Sequence, residues 1–389
     1  MGRPSIEQHL QHAALSTPAF VYDTGTLAED TAIARAAIQD DHSRLLFALK
    51  SFSIPDGLRH IAAGVDGFAA SSLFEARLAR RVMTPGQTLH ITSPGLRPDE
   101  IDAVCDTVDY ITFNSLPQWQ RYRATARDRV QCGLRINPQL SFVQDARYDP
   151  CRAHSKLGLP LDQLSRLLRD APDELAGIRG LHVHSNCDSE DLAPLLQTVE
   201  RLLQELDPLF DRIEWINLGG GYLFDTPHNQ PALAQARQRL AARGDFRLFF
   251  EPGASIARRA GYLVASVVDL FDSGGRQIAV LDTSVNHLPE VFEYQFVPDV
   301  IGDCEDGEYE YTLAGSACLA GDLFGDYGFR APLAVGSRVI FPDIGAYSMV
   351  KANWFNGINL PTLYALDEDG ELREIRRFDF DDFQHMSGE

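Results

Sequence analysis

Eight short apolar runs separated by longer amphipathic stretches occupy residues 44 to 250 of the 389-residue chain. They read RLLFALK, DGFAAS, TLHITS, DYITFN, QCGLRIN, IRGLHVHS, IEWINLGG and FRLFFEPG. Short runs rich in Leu, Ile, Val and Phe, bounded by turn residues, predict buried strands. Between them, SLFEARLARRV, PLDQLSRLLRD and EDLAPLLQTVERLLQEL repeat leucines at three and four residues, the spacing of a helix with one apolar face. Eight strand-helix units predict a closed parallel (β/α)8 barrel of TIM type rather than an open doubly wound sheet. Polar residues gathered after the strands then mark the mouth, where such barrels carry their sites.

After Gly261 the texture changes. YLVASVVDLFD, RQIAVLDTS, EYEYTLAGS and SRVIFPDIG are strand-like runs parted by Gly, Pro, Asp and Asn, without strong helices between them. This predicts a C-terminal all-β domain, a barrel or a sandwich. AFVYD precedes the eight counted runs and is read as a strand lent to that domain. The expected domains are a barrel over 25–255 and a β domain built from 1–24 together with 256–389.

Charge narrows the partners. The chain has 35 basic and 55 acidic side chains, a formal charge of -20, which opposes nonspecific binding to nucleic acid or anionic membranes and favours a cationic substrate. No stretch approaches the roughly 20 apolar residues of a membrane span. The six cysteines lack CxxC spacing and the start does not resemble a signal peptide, so a reducing, cytoplasmic setting is expected.

Several polar residues stand at strand ends. Lys50 closes RLLFALK; as the end of a buried strand it should lose hydration and serve as an amine nucleophile, the alternative being a side chain that snorkels to solvent. Gly219, Gly220 and Gly221 follow the seventh run and suit either a phosphate cradle or a plain tight turn. Glu251, in FFEPG, is either a surface end-cap or a carboxylate at the mouth able to hold a proton on a pyridine nitrogen. His182 and His184 share one side of their strand, with Ser185 next to them. HxH alone is weak evidence for a metal and no third ligand has supporting spacing, so cofactor packing, substrate contact or a structural pair are the other readings. An amine, a phosphate loop, a pyridine partner and a ring-covering histidine together describe pyridoxal 5'-phosphate.

With those residues in place, the sequence resembles the pyridoxal-phosphate decarboxylases of the alanine-racemase-like barrel fold, the group containing ornithine, arginine and diaminopimelate decarboxylases. The resemblance spans roughly 18 to 365, through FALKSFS, DGFAASSLFE, HVHSNCDSEDL, NLGGGY, FEPG, LDTSVNHLPEV, GSACLAGD and GAYSMVKANWFNG. It implies that Lys50 carries the cofactor, His182 stacks on its ring, Ser185 and Gly219 to Gly221 bind its phosphate, and Glu251 pairs with the ring nitrogen. It further implies that Tyr347 touches the phosphate and that Cys318 reaches in from a second subunit of a homodimer to help reprotonate the intermediate. Asp322 is implied near the substrate amine.

FALKSFS, SSLFE, HSNCDSEDL and CLAGD imply, within that family, decarboxylation of carboxynorspermidine or carboxyspermidine to norspermidine or spermidine. Another diamino or conjugated amino acid is the alternative substrate, and a racemase or a non-enzymatic cofactor carrier are more distant readings. Two positions depart from the ornithine decarboxylase pattern. Ala254 stands where an arginine follows EPG, and Leu319 follows Cys318 where an aspartate grips a distal amine. Substrate recognition would therefore fall to Asp282, His287, Glu290 or Asp322.

Overall fold

The computed structural model describes residues 6–38, 40–224 and 230–388. They form two compact units, one of Ala28–Ile256 and one of Met1–Leu27 with Ala257–Glu389. The first strand, β1 (Ala19–Asp23), belongs to the second of these.

The larger unit is the expected barrel. Its strands are β2 (Ser43–Ala48), β3 (Gly67–Ala70), β4 (Thr88–Ser93), β5 (Tyr110–Phe113) and β6 (Gln131–Asn137). After the two-residue β7 (Leu159–Pro160), which pairs only beside β6, come β8 (Gly180–Val183), β9 (Trp215–Asn217) and β10 (Arg247–Phe250). Each pairs in parallel with the next, β6 pairs with β8, and β10 returns to β2, so the ring closes on the eight predicted runs. Parallel strands covered on both faces need continuous apolar sequence, which is why these runs stood out.

The helices between the strands pack by one face. In the helix Leu73–Val82 the buried residues are Leu73, Ala76, Ala79 and Val82, three apart, and Ser72 caps its start by accepting the Glu75 amide at 3.2 Å. Inside the barrel, His90 stacks on Tyr110 with ring centroids 4.1 Å apart, and Trp215 meets Tyr110 and Phe249 edge-on. Trp215 has room only because its neighbours lack side chains: a Cβ at Gly180 would lie 2.0 Å from its ring and one at Gly133 2.3 Å. No helix among the described residues is long and apolar enough to cross a membrane.

The second unit is a mostly antiparallel sheet of β11 (Gly261–Ser273), β12 (Arg276–Leu281), β13 (Tyr309–Ala314), β14 (Leu323–Phe329), β15 (Arg338–Phe341), β16 (Thr362–Leu366) and β17 (Leu372–Arg376), with β1. β1 lies between β11, antiparallel, and β16, parallel. β11 pairs with β1 and β15 through its first half and with β12 through its second, and a register shift between Val267 and Asp269 marks the change of partner.

Candidate active site

β2 ends at Ala48, and the chain then turns sharply. The Ser51 amide and hydroxyl both donate to the Ala48 carbonyl, at 3.2 and 2.9 Å, while the Ala48 amide donates to the Pro252 carbonyl at 3.1 Å. Lys50 projects from this turn into a pocket at the C-terminal strand ends, lined also by Arg135, His182, His184 and Glu251. The expected loss of hydration is not found: Lys50 lies two residues past the strand and is exposed. Its amine makes no hydrogen bond to a described residue. A cavity of about 360 Å³ beside Arg44, Tyr110, Trp215 and Arg247 lies at the opposite, N-terminal strand ends. Barrel chemistry sits at the C-terminal face.

Glu251 follows β10 and is not a surface cap. Its Oε1 accepts from His182 Nε2 and its Oε2 from Asn217 Nδ2, both at 3.0 Å. Burial disfavours its charge, yet the contact with His182, and then the surrounding His184 and Lys50, hold the carboxyl well below the usual carboxylate range. Burial pushes His182 down, against the pull of Glu251. A neutral His182 donating through Nε2 leaves Nδ1 as an acceptor, and this buried atom has no partner among the described residues.

Two-residue alternation explains which side chains meet. Gly180 lies against Trp215 inside the barrel, so His182 and His184, two and four residues on, face the same way. By the same rule Gly133 places Arg135 inward on β6. Arg135 is only 8% exposed, its guanidinium bonds no described residue, and burial lowers its pKa against the attraction of Glu251. Sequence reasoning missed it, although a lone cation in the apolar run QCGLRIN was the available signal.

The three glycines are required by packing. A Cβ would lie 2.3 Å from the Val183 carbonyl oxygen at Gly219, 2.3 Å from that of Glu251 at Gly220, and 2.1 Å from that of Asn186 at Gly221. The Gly219 amide donates to Asn217 Oδ1 at 2.8 Å and the Gly220 amide to His184 Nδ1 at 3.2 Å. The Gly221 amide donates to no described residue. Ser185 is buried, with its hydroxyl 3.2 Å from that of Tyr222 and accepting from Thr198 Oγ1 at 3.1 Å.

The remaining predicted residues belong to the sheet unit. Cys318 is exposed between β13 and β14, and its amide donates to Asn356 Oδ1 at 2.8 Å. Asp322 ties its own loop to the one after β12: it accepts from the amides of Val285 and Ala317, at 2.7 and 2.8 Å, and from the Ser284 hydroxyl at 3.2 Å. Asp282 accepts the Ser266 amide at 2.8 Å, and Glu290 lies 3.4 Å from Lys351 Nζ. His287 is buried with Nδ1 2.8 Å from Thr283 Oγ1 and Nε2 unpartnered among the described residues; burial pushes it down to about 4. Tyr347 sits at a φ of 58°, in the left-handed region.

A parallel barrel with an exposed amine, a partly buried carboxylate and a partnerless histidine nitrogen at its mouth, joined in one chain to a mostly antiparallel sheet, defines a class of barrel enzyme. Residues 19–345 match the family described as pyridoxal-dependent decarboxylase, C-terminal sheet domain. The chain is 37% identical to the carboxyaminopropylagmatine decarboxylase of Synechocystis sp., across 99% of this chain and 98% of that protein. It is 32% identical to the carboxynorspermidine/carboxyspermidine decarboxylase of Herminiimonas arsenicoxydans, across 95% and 98%. The crystal structure of carboxynorspermidine decarboxylase from Campylobacter jejuni, complexed with norspermidine, superposes with a TM-score of 0.85 at 27% identity, covering 96% of this chain and all of that one. The chain belongs to the pyridoxal-dependent decarboxylase family.

The pocket fits such a cofactor on its own chemistry. An aldehyde needs a free amine, a protonated pyridine nitrogen needs an ionised acceptor, and an anionic group needs unspent donors. Lys50, Glu251 and the Arg135 guanidinium, which line this pocket, are groups of the types that would meet these demands.

Proposed function

We propose that the protein decarboxylates a carboxylated polyamine, carboxynorspermidine or carboxyspermidine, to release norspermidine or spermidine. The observation that carries this reading is near full-length similarity to enzymes named for such substrates, on a chain whose barrel mouth keeps the required residue types. Carboxyaminopropylagmatine is the second reading, favoured by the 37% identity to an enzyme named for it.

Pyridoxal 5'-phosphate, when bound, supplies an electrophilic carbon for the substrate amine and a ring that accepts the electrons left by the departing carboxylate. Lys50 Nζ would tether it between turnovers. Glu251 would hold the proton of the ring nitrogen, and neutral His182 would cover the ring face. Gly219, Gly220 and Gly221, with Ser185 and Tyr347, would receive the phosphate, Gly221 bringing the uncommitted amide. Arg135 adds a cation toward which a carboxylate or phosphate is drawn. Cys318 would deliver a proton from Sγ to the carbon that lost carbon dioxide.

In this reading the barrel domain over 25–255 holds the cofactor. The β domain of 1–24 and 256–389 presents Cys318 to the neighbouring site of a cytoplasmic homodimer with shared active sites. Asp282, His287, Glu290 and Asp322 are the proposed contacts for the polyamine tail, Asp322 through the loop it holds. Carbon dioxide release from purified protein, measured with carboxynorspermidine, carboxyspermidine, carboxyaminopropylagmatine, ornithine and diaminopimelate, tests the reading. Turnover of ornithine or diaminopimelate with none of the three carboxylated polyamines would sink it.

A further inference from the structure

Asn217, 1% exposed at the end of β9, uses both ends of its carboxamide. Oδ1 accepts the Gly219 amide at 2.8 Å and Nδ2 donates to Glu251 Oε2 at 3.0 Å. Only one orientation of the amide satisfies both, since an N–H must be met by oxygen and a carboxylate by a donor. The backbone repeats the link, with the Glu251 amide donating to the Gly219 carbonyl at 2.9 Å. The glycine turn and the carboxylate are thus joined by side chain and main chain alike.

We propose that Asn217 is a positioning residue, whose neutral carboxamide locks the Glu251 carboxylate to the glycine turn so that the ring end and the phosphate end of the cofactor are gripped as one unit. This rests on the proposed function. Neutrality is the essential property. An aspartate would fill the same space and still accept from Gly219, but would face Glu251 with a second carboxylate, and two such groups do not ionise together readily. The other charged or titratable groups facing Glu251 are His182 and His184 at the end of β8, Lys50 after β2, Arg135 on β6 and His90 on β4. All are retained in an Asn217 variant.

The test compares the pyridoxal-phosphate-loaded protein with Asn217→Asp, Asn217→Ala, Glu251→Gln and the double variant Asn217→Asp/Glu251→Gln. Cofactor dissociation is followed by equilibrium dialysis, the bound cofactor's absorbance is titrated against pH, and kcat and KM are measured separately. Asn217→Asp should weaken cofactor retention roughly tenfold, the loss of one hydrogen bond to a charged group. It should also move the midpoint of the absorbance titration and lower kcat with little change in KM. In the Glu251→Gln background it should add little. An unmoved midpoint with unchanged retention, or additive losses in the double variant, would overturn the inference even if Asn217→Ala does not fold. Wild-type protein that takes up no pyridoxal phosphate would overturn the functional reading with it.

Discussion

The imidazole of His184 receives the amide hydrogen of Gly220 at 3.2 Å. The contact fixes the proton on Nε2, because an Nδ1 that accepts cannot also carry hydrogen. Burial first, then Lys50 and Arg135, hold His184 well below the usual histidine range, so it stays neutral and keeps this tautomer. His184→Ala leaves the buried Gly220 amide without its acceptor and should cost about 1–3 kcal/mol of stability. Urea denaturation of the two proteins measures the difference, and equal midpoints would show that the contact contributes nothing.

Lys50→Ala should abolish covalent retention of pyridoxal phosphate and lower kcat on the order of 10³-fold. Borohydride reduction followed by peptide mass spectrometry reads the attachment directly. A modified peptide that lacks residue 50 would disprove the assignment.

His90 is buried on Tyr110, and burial lowers its pKa to about 3. Its ordinary value is 6.5. Since the folded value is the lower one, the unfolded chain binds the proton first. The stability His90 contributes is complete above the unfolded value and drains away as pH falls toward the folded one, by about 1.4 kcal/mol per pH unit. His90→Gln should therefore flatten the loss of stability between pH 6 and 4, roughly the window set by these two values. Parallel denaturation curves for the two proteins at each pH would refute this.

Asp322→Asn should loosen the loop that carries Cys318. The carboxylate accepts three hydrogen bonds, and an amide, with one acceptor oxygen, keeps fewer, at a cost of about 1–3 kcal/mol. The alkylation rate of Cys318, followed by peptide mapping, should change while that of Cys304 does not. Identical Cys318 rates would argue that the clamp does not control the thiol.

Shared active sites predict complementation. Mixing Lys50→Ala subunits with Cys318→Ala subunits should restore decarboxylation that neither variant shows alone. Mixed dimers demonstrated by native mass spectrometry and found inactive would count against the exchange.

The barrel was legible because its strands are covered on both faces and so are written as unbroken apolar runs, as in RLLFALK and FRLFFEPG. β14, LFGDYGF, interrupts its apolar residues with Gly and Asp, and β17, LREIR, is a charged edge strand, so neither carries that signal. His182 and Glu251 were legible as strand-end residues, but their hydrogen bond spans 69 positions and depends on β8, β9 and β10 lying side by side in the barrel wall. Asp322 was expected to meet substrate; its bond to Val285, 37 residues away, depends on how two loops fold together, which local pattern does not encode. Arg135 was hidden by the apolar residues around it.

Trp215, wedged over Gly133 and Gly180, is 2% exposed, and its Nε1 has no hydrogen-bond partner among the described residues. Asn217 lies two residues further along the same face of β9. A buried indole emits to the blue of a solvated one, and a chromophore close to it drains that emission. With the light of Trp119 and Trp354 taken out by a Trp215→Phe control, filling of the barrel mouth by the proposed cofactor should be readable as quenching of Trp215, without label and without turnover.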